Sequence, residues 1–115
     1  IGMMLHKTME AATALAKEGI QCEVIDPRTT SPLDLDTIIE SVENTGRLVV
    51  VDESNPRCSM AADISAQVTE QAFGSLKGPV RMVTAPHCPP PFSDVLEDLY
   101  IPSPEKIAEA VRTLK

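Results

Sequence analysis

The sequence predicts an α/β domain in which helices cover both faces of a mostly parallel sheet. Helical and strand-like segments alternate along the 115 residues, an order typical of parallel sheets. Residues 47–53, RLVVVDE, contain four consecutive apolar residues instead of an apolar–polar alternation, which indicates an inner strand buried on both faces. The length fits a single domain spanning residues 1–115.

Capping and turn residues bound the predicted elements. Ser31 suits an N-cap with Pro32 at the first helical position, Gly46 ends that helix, and Ser103 caps the last one. The predicted helices cover residues 4–17, 32–45, 59–73, 93–99 and 104–114, and the predicted strands cover residues 21–26, 47–53 and 80–85. The spacing of apolar residues predicts a core formed by seven of them: Ile38, Ile39, Val42, Leu48, Val50, Ile64 and Val83.

Composition argues against several classes of partner. The formal net charge is −7, which disfavours binding to a nucleic-acid backbone or an anionic membrane and suits a basic partner. No apolar run approaches the ~20 residues that span a bilayer. Cys22, Cys58 and Cys88 show neither zinc-binding spacing nor a CxxC pair, so we expect reduced thiols in a cytosolic protein.

Charged residues cluster where two predicted strands end. Asp26 and Arg28 follow one strand, and Asp52 and Glu53 close another. A parallel sheet brings such ends to one edge, where functional groups often lie. Acids ending a strand are more often turn and cap residues, and a buried Arg–carboxylate pair would fix this edge. We therefore favour a structural pair between Arg28 and one of these acids over ligand binding.

The segment PHCPPPF, residues 86–92, follows the last predicted strand. Its four prolines remove backbone donors and fix φ, so it is neither helix nor inner strand. His87 and Cys88 suggest a nucleophile pair, but neighbouring residues rarely face each other, and a rigid contact surface is the stronger interpretation. No residue is assigned to catalysis, cofactor binding or a metal. A non-catalytic flavodoxin-like or receiver-like binding module remains the alternative.

Two motifs resemble one family. The pattern E-V-I-D-x-R-T-x-x-P-x-D at residues 23–34 and the proline loop leading into L-E-D-x-Y-I-P are similar to the C-terminal domain of the beta subunit of thiamine-diphosphate-dependent 2-oxo acid dehydrogenases. The group includes the pyruvate, branched-chain and acetoin enzymes, and transketolase carries a related domain. The resemblance implies a three-layer α/β/α fold with about five strands. It also implies that the N-terminal strands, which lie before Ile1 in the family, are missing from this fragment.

The same resemblance implies a role in assembly. Thiamine diphosphate in the intact enzyme would bind outside this fragment, between the alpha subunit and the preceding beta domain. The implied partners are a second beta subunit, the alpha subunit and the basic peripheral-subunit-binding domain of the acyltransferase, in the cytoplasm or the mitochondrial matrix. The candidate partner-binding residues are His87, Asp94, Glu97 and Asp98. Lys77 stands where relatives can carry an acid, which weakens a docking contact at that point.

Overall fold

A computed structural model describes residues 1–115 as five α-helices around two short parallel strands. No helix combines the length and the apolar character needed to cross a membrane. The elements are α1 (Met3–Lys17), α2 (Leu35–Thr45), β1 (Val49–Val51), α3 (Met60–Ala72), β2 (Arg81–Val83), α4 (Asp94–Tyr100) and α5 (Pro104–Arg112), with a 3₁₀ turn at Phe73–Ser75.

Strand β1 lies between two layers of helices. It pairs in parallel with β2, Val50 opposite Met82, which confirms the predicted α/β class. One face of the sheet packs on the α1/α5 cluster, formed by Ala11, Leu15, Val83, Ile107 and Ala108. The opposite face packs on the α2/α3 cluster, formed by Ile38, Val42, Ile64, Val68 and Ala72.

The unbroken apolar run in β1 follows from these two layers. Val49 and Val51 pack against the α1/α5 cluster, whereas Leu48 and Val50 pack against the α2/α3 cluster. Each alternate residue therefore meets apolar side chains on its own side of the sheet, and no position of the strand favours a polar residue.

The expected core is buried to different depths. Ile38, Val42, Ile64 and Val83 are buried, as the apolar spacing predicts. Ile39, Leu48 and Val50 are only partly buried, although all three pack against the α2/α3 cluster. For Leu48 and Val50 the physical reason is the open edge of β1, because a strand with a neighbour on one side only leaves part of its side chains accessible.

The first helical turn of α2 lies later than predicted. Asp34, not Ser31, is the N-cap, since its carboxylate accepts hydrogen bonds from the backbone N–H and the hydroxyl of Thr37, at 3.2 and 2.7 Å. Ser31 and Pro32 belong to the preceding loop. An ionised carboxylate that meets two donors at the positive helix end is a better cap than a hydroxyl placed three residues earlier.

Residues 21–26 are not a strand, contrary to the prediction. Their side chains still alternate between the layers: Cys22 packs with the α1/α5 cluster and Ile25 with the α2/α3 cluster. The segment nevertheless makes no backbone–backbone hydrogen bond. A strand exists only as part of a ladder, and no segment of this chain forms one with residues 21–26.

Candidate assembly interface

Helix α4 presents an apolar face to solvent. Val95, Leu96 and Leu99 are 72%, 54% and 70% exposed, and Phe92, directly before the helix, is fully exposed. Helical spacing places Val95, Leu96 and Leu99 on one side of α4. We call these three residues and Phe92, which precedes the helix, the α4 apolar face. No residue of α4 is buried. Single exposed apolar residues are ordinary, but a contiguous group of large ones marks an interaction site.

The acids of α4 lie on the opposite side of the helix. Helical spacing separates Asp94, Glu97 and Asp98 from the apolar residues. Asp94 and Glu97 stand in the first turn, where negative charge stabilises the helix end. None of the three acids forms an ion pair within the chain, so all three carboxylates are available to a basic partner.

The proline loop contacts α4 through one side-chain hydrogen bond. The hydroxyl of Tyr100 donates a hydrogen bond to the backbone oxygen of Cys88 at 3.0 Å, which ties the loop to the last turn of the helix. The side chains of His87 and Cys88 are exposed and make no hydrogen bond with each other. No side-chain hydrogen bond of the Cys88 thiol is present, and the interpretation of the loop as a contact surface stays a prediction.

Arg28 makes its ion pair with Asp26, the nearest of the three acids in sequence. Its Nε lies 2.9 Å from Asp26 Oδ2, but the Arg28 side chain is 84% exposed. The residue adopts a left-handed backbone with φ of 64°. This is a surface pair at the end of the 21–26 segment, of a kind worth less than ~1 kcal/mol.

Asp52 and Glu53 do not join Arg28. One carboxylate oxygen of Asp52 accepts from the backbone N–H of Ser54 at 3.0 Å, and the other from that of Ala61, in the first turn of α3, at 3.4 Å. Glu53 is exposed and unpaired. Of the three acids that the sequence offers as partners of Arg28, Asp26 forms the pair, whereas Asp52 accepts hydrogen bonds from backbone N–H groups that follow β1.

A cavity of about 840 Å³ lies between residues 21–26 and β1. Most of its lining residues are hydrophobic, including Val24, Ile25 and Val50, and Ile1 also lines it. Burial raises the pKa of the Cys22 thiol in this wall, so the thiol remains protonated near neutral pH. No three His, Cys, Asp or Glu side chains lie close enough together to hold a metal ion.

The sequence predicts the acids of α4 as partner-binding residues, but its apolar face was not among the predicted residues. The signal was present, since Phe92, Val95, Leu96 and Leu99 repeat at helical spacing. In a short helix such a repeat indicates an inward face as readily as an outward one. Only the absence of packing partners in the fold distinguishes the two.

Comparison with known proteins identifies the family. The sequence profile of the transketolase C-terminal domain matches residues 1–107. The chain belongs to this family, which decides against the flavodoxin-like or receiver-like alternative. A solved structure described as a split-gene transketolase, an inactive beta4 tetramer, superimposes on 98% of this chain and 35% of its own with a TM-score of 0.82 and 26% identity.

Curated relatives are beta subunits of dehydrogenases. The beta subunit of acetoin:2,6-dichlorophenolindophenol oxidoreductase of Cupriavidus necator is 65% identical over 111 residues, covering 96% of this chain and 33% of that protein. The pyruvate dehydrogenase E1 beta subunit of Bacillus subtilis is 44% identical over 96% of this chain and 34% of its own length. The chain thus spans about a third of the curated relatives it matches.

Proposed function

We propose that this chain is the C-terminal domain of the beta subunit of a thiamine-diphosphate-dependent dehydrogenase and serves in subunit assembly. Among such dehydrogenases, we favour one that acts on acetoin. Identity to the acetoin oxidoreductase beta subunit of Cupriavidus necator is 65%, against 44% to the pyruvate dehydrogenase beta subunit of Bacillus subtilis. The cytoplasm, or the mitochondrial matrix in a eukaryote, is the corresponding compartment.

The α4 apolar face is the observation that carries the assembly role. Permanent subunit interfaces are more apolar than transient ones. Leu96 and Leu99, exposed in this chain, are therefore suited to a lasting contact with a second beta subunit. The structural relative that is described as a beta4 tetramer supports this choice of partner, since that assembly consists of beta chains.

The residues of this chain do not fit the thiamine cofactor. A diphosphate bound through a divalent cation needs oxygen ligands and hydrogen-bond donors gathered at one point. The cavity is instead lined mainly by hydrophobic residues, and no three His, Cys, Asp or Glu side chains lie close enough together to hold a metal ion. In this proposal the cofactor binds to the preceding part of the beta subunit and the alpha subunit, and this domain acts in assembly.

The acidic side of α4 suits a second, reversible contact. Asp94, Glu97 and Asp98 are exposed on a chain of net charge −7, and the acyltransferase's peripheral-subunit-binding domain would be a small basic partner. Complementary charge accelerates such an encounter and makes it sensitive to salt. Lys77 lies elsewhere, with its aliphatic stem against Gly46, so α4 is a better docking position than the loop before β2.

A titration of the full beta subunit with that binding domain tests the docking proposal. We expect the double variant Glu97→Lys, Asp98→Lys to bind more weakly and with a shallower salt dependence than the wild type. Glu43→Lys, Glu70→Lys, which makes the same charge change on α2 and α3, is the matched control and should retain affinity. Equal affinity and salt slope for the α4 variant and the wild type would remove these acids from the interface.

A further inference from the structure

Strand β2 has a free outer edge. On its inner side, the N–H of Arg81 donates to Leu48 O at 3.0 Å. The C=O of Val83 accepts from the N–H of Asp52, also at 3.0 Å. Backbone groups of successive strand residues point to opposite sides within the sheet. The N–H and C=O of Met82 therefore point away from β1, and no further strand lies on that side.

The residues on either side of β2 extend this edge. Val80 and Thr84 form no backbone–backbone hydrogen bond. The strand alternation places the C=O of Val80 and the N–H of Thr84 on the same outer side as the two groups of Met82. Such a row of unpaired donors and acceptors can bind the backbone of an added strand.

A groove of about 490 Å³ adjoins the edge. Ser65 and Thr69 of α3 form one of its walls, and residues 76–80, which lead into β2, form the other. Phe73 also lines it and is 72% exposed. Because no residue of α2 or β1 lines the groove, it opens beside β2 on the side away from β1.

The two faces of an added strand would meet different surroundings. Met82 lies opposite Val50, whose side chain packs on the α2/α3 cluster, so this face of the sheet points toward α3 and the groove. No charged residue lines the groove, which therefore suits apolar side chains. On the other face stands Arg81, an exposed residue without an ion pair in this chain. A carboxylate on the added strand would supply that partner.

Charge distinguishes between the possible occupants of this edge. Two copies of β2 paired antiparallel about Met82 would place their Arg81 side chains diagonally across from each other, where like charges are unfavourable. The whole chain carries −7, so Arg81 and exposed Lys77, in the loop before β2, are basic exceptions on an acidic surface. These cations favour an acidic strand over the same strand of a second copy.

We propose that the outer edge of β2 and its groove bind an extended segment of a partner chain in which acidic and apolar residues alternate. The segment adds a strand to the sheet and pairs with the backbone of Met82 and the groups beside it. Its apolar side chains enter the groove against Phe73 and Leu76, and a carboxylate pairs with Arg81. The edge shares no residue with the α4 apolar face, so the inference does not depend on the assembly proposal.

Peptide binding to the full-length beta subunit tests the proposal. The probe is a short fluorescent peptide that alternates valine with glutamate, and the comparison peptide carries lysine in place of glutamate. We expect the glutamate peptide to bind at least ~5-fold more tightly in fluorescence anisotropy, because only its charges attract Arg81. Binding should also slow hydrogen exchange at the amides of Met82 and Thr84. Equal affinity for the two peptides, or no binding of either, would overturn the proposal.

Two variants separate the backbone contact from the charge contact. Met82→Pro removes an outward N–H but no hydrogen bond to β1, so it should bind the glutamate peptide at least ~5-fold more weakly. Met82→Ala keeps that N–H and should lose less affinity. Arg81→Glu should reverse the preference between the peptides, whereas Arg57→Glu, the same charge change in the exposed loop after β1, should not. An Arg81→Glu subunit that still prefers glutamate would contradict the ion pair, even if Met82→Pro fails to fold.

Hydrogen exchange without peptide shows whether the edge is free in the full-length subunit. We expect the amides of Met82 and Thr84 to exchange at least ~100-fold faster than that of Asp52, which is bonded to Val83. Exchange as slow as that of Asp52 would mean that the subunit itself covers this edge. A weaker beta dimer in Met82→Pro would assign the edge to a second copy. Either result would overturn the proposal.

Discussion

Replacing Leu99 by alanine should weaken the association of full-length beta subunits without destabilising the domain. The substitution removes three carbons, worth about 2.4 kcal/mol on full burial at ~0.8 kcal/mol per methylene. Leu99 is 70% exposed here, so about 1.7 kcal/mol of that becomes available at an interface. A two-fold interface contains the residue twice, which gives about 3 kcal/mol, or roughly two orders of magnitude in the dimer Kd.

Sedimentation velocity over a dilution series measures this dissociation constant. Phe73→Ala is the matched control, because Phe73 is 72% exposed but lies outside the α4 apolar face, and it should leave the dimer Kd unchanged. The free energy of unfolding of the Leu99→Ala monomer, measured by thermal unfolding, should lie within ~0.5 kcal/mol of the wild-type value. An unchanged dimer Kd combined with a less stable monomer would refute the reasoning, because it would mean that the subunit's own preceding part covers this face.

Three further changes test the fold. Ile38→Ala should lower the free energy of unfolding by ~2–5 kcal/mol and Ile39→Ala by less, because only the former is buried; equal losses in urea denaturation would contradict the packing of α2. Hydrogen bonds from the first turn of α2 lower the pKa of Asp34. The stabilisation is therefore complete above the unfolded-state pKa and lost as pH falls through the lower folded-state pKa. The melting temperature of Asp34→Ala should approach that of wild type over that window, and a constant difference across it would contradict the cap. Arg28→Ala should cost under ~1 kcal/mol in the same denaturation assay, and a loss of several kcal/mol would mean that its ion pair is buried in solution.

Sequence patterns predicted the elements that depend on local signals. Ser103 caps α5 through the backbone N–H of Lys106, and Gly46 ends α2 in the left-handed conformation with φ of 74°. Both effects depend on a few neighbouring residues, so they can be recognised without the fold. The α2 N-cap was misplaced because Ser31 and Asp34 are both good capping residues, and only the Thr37 contacts distinguish them.

Features that depend on distant chain segments could not be predicted in the same way. Residues 21–26 have strand composition and strand-like side-chain alternation, but strand formation requires a neighbour that this chain does not place beside them. The contacts of Asp52 also depend on a donor nine residues away in sequence, the backbone N–H of Ala61. The outward orientation of Leu99 likewise depends on what packs around α4 rather than on its own periodicity.

Enzyme activity as a function of concentration tests the central claim, that this domain serves in assembly and not in the reaction itself. The measurement compares reconstituted enzyme carrying wild-type or Leu96→Asp, Leu99→Asp beta subunits, with the assembled fraction followed by light scattering. We predict that the variant loses specific activity on dilution and regains wild-type kcat per assembled complex at high concentration. A lower kcat in fully assembled variant enzyme, independent of concentration, would contradict the claim.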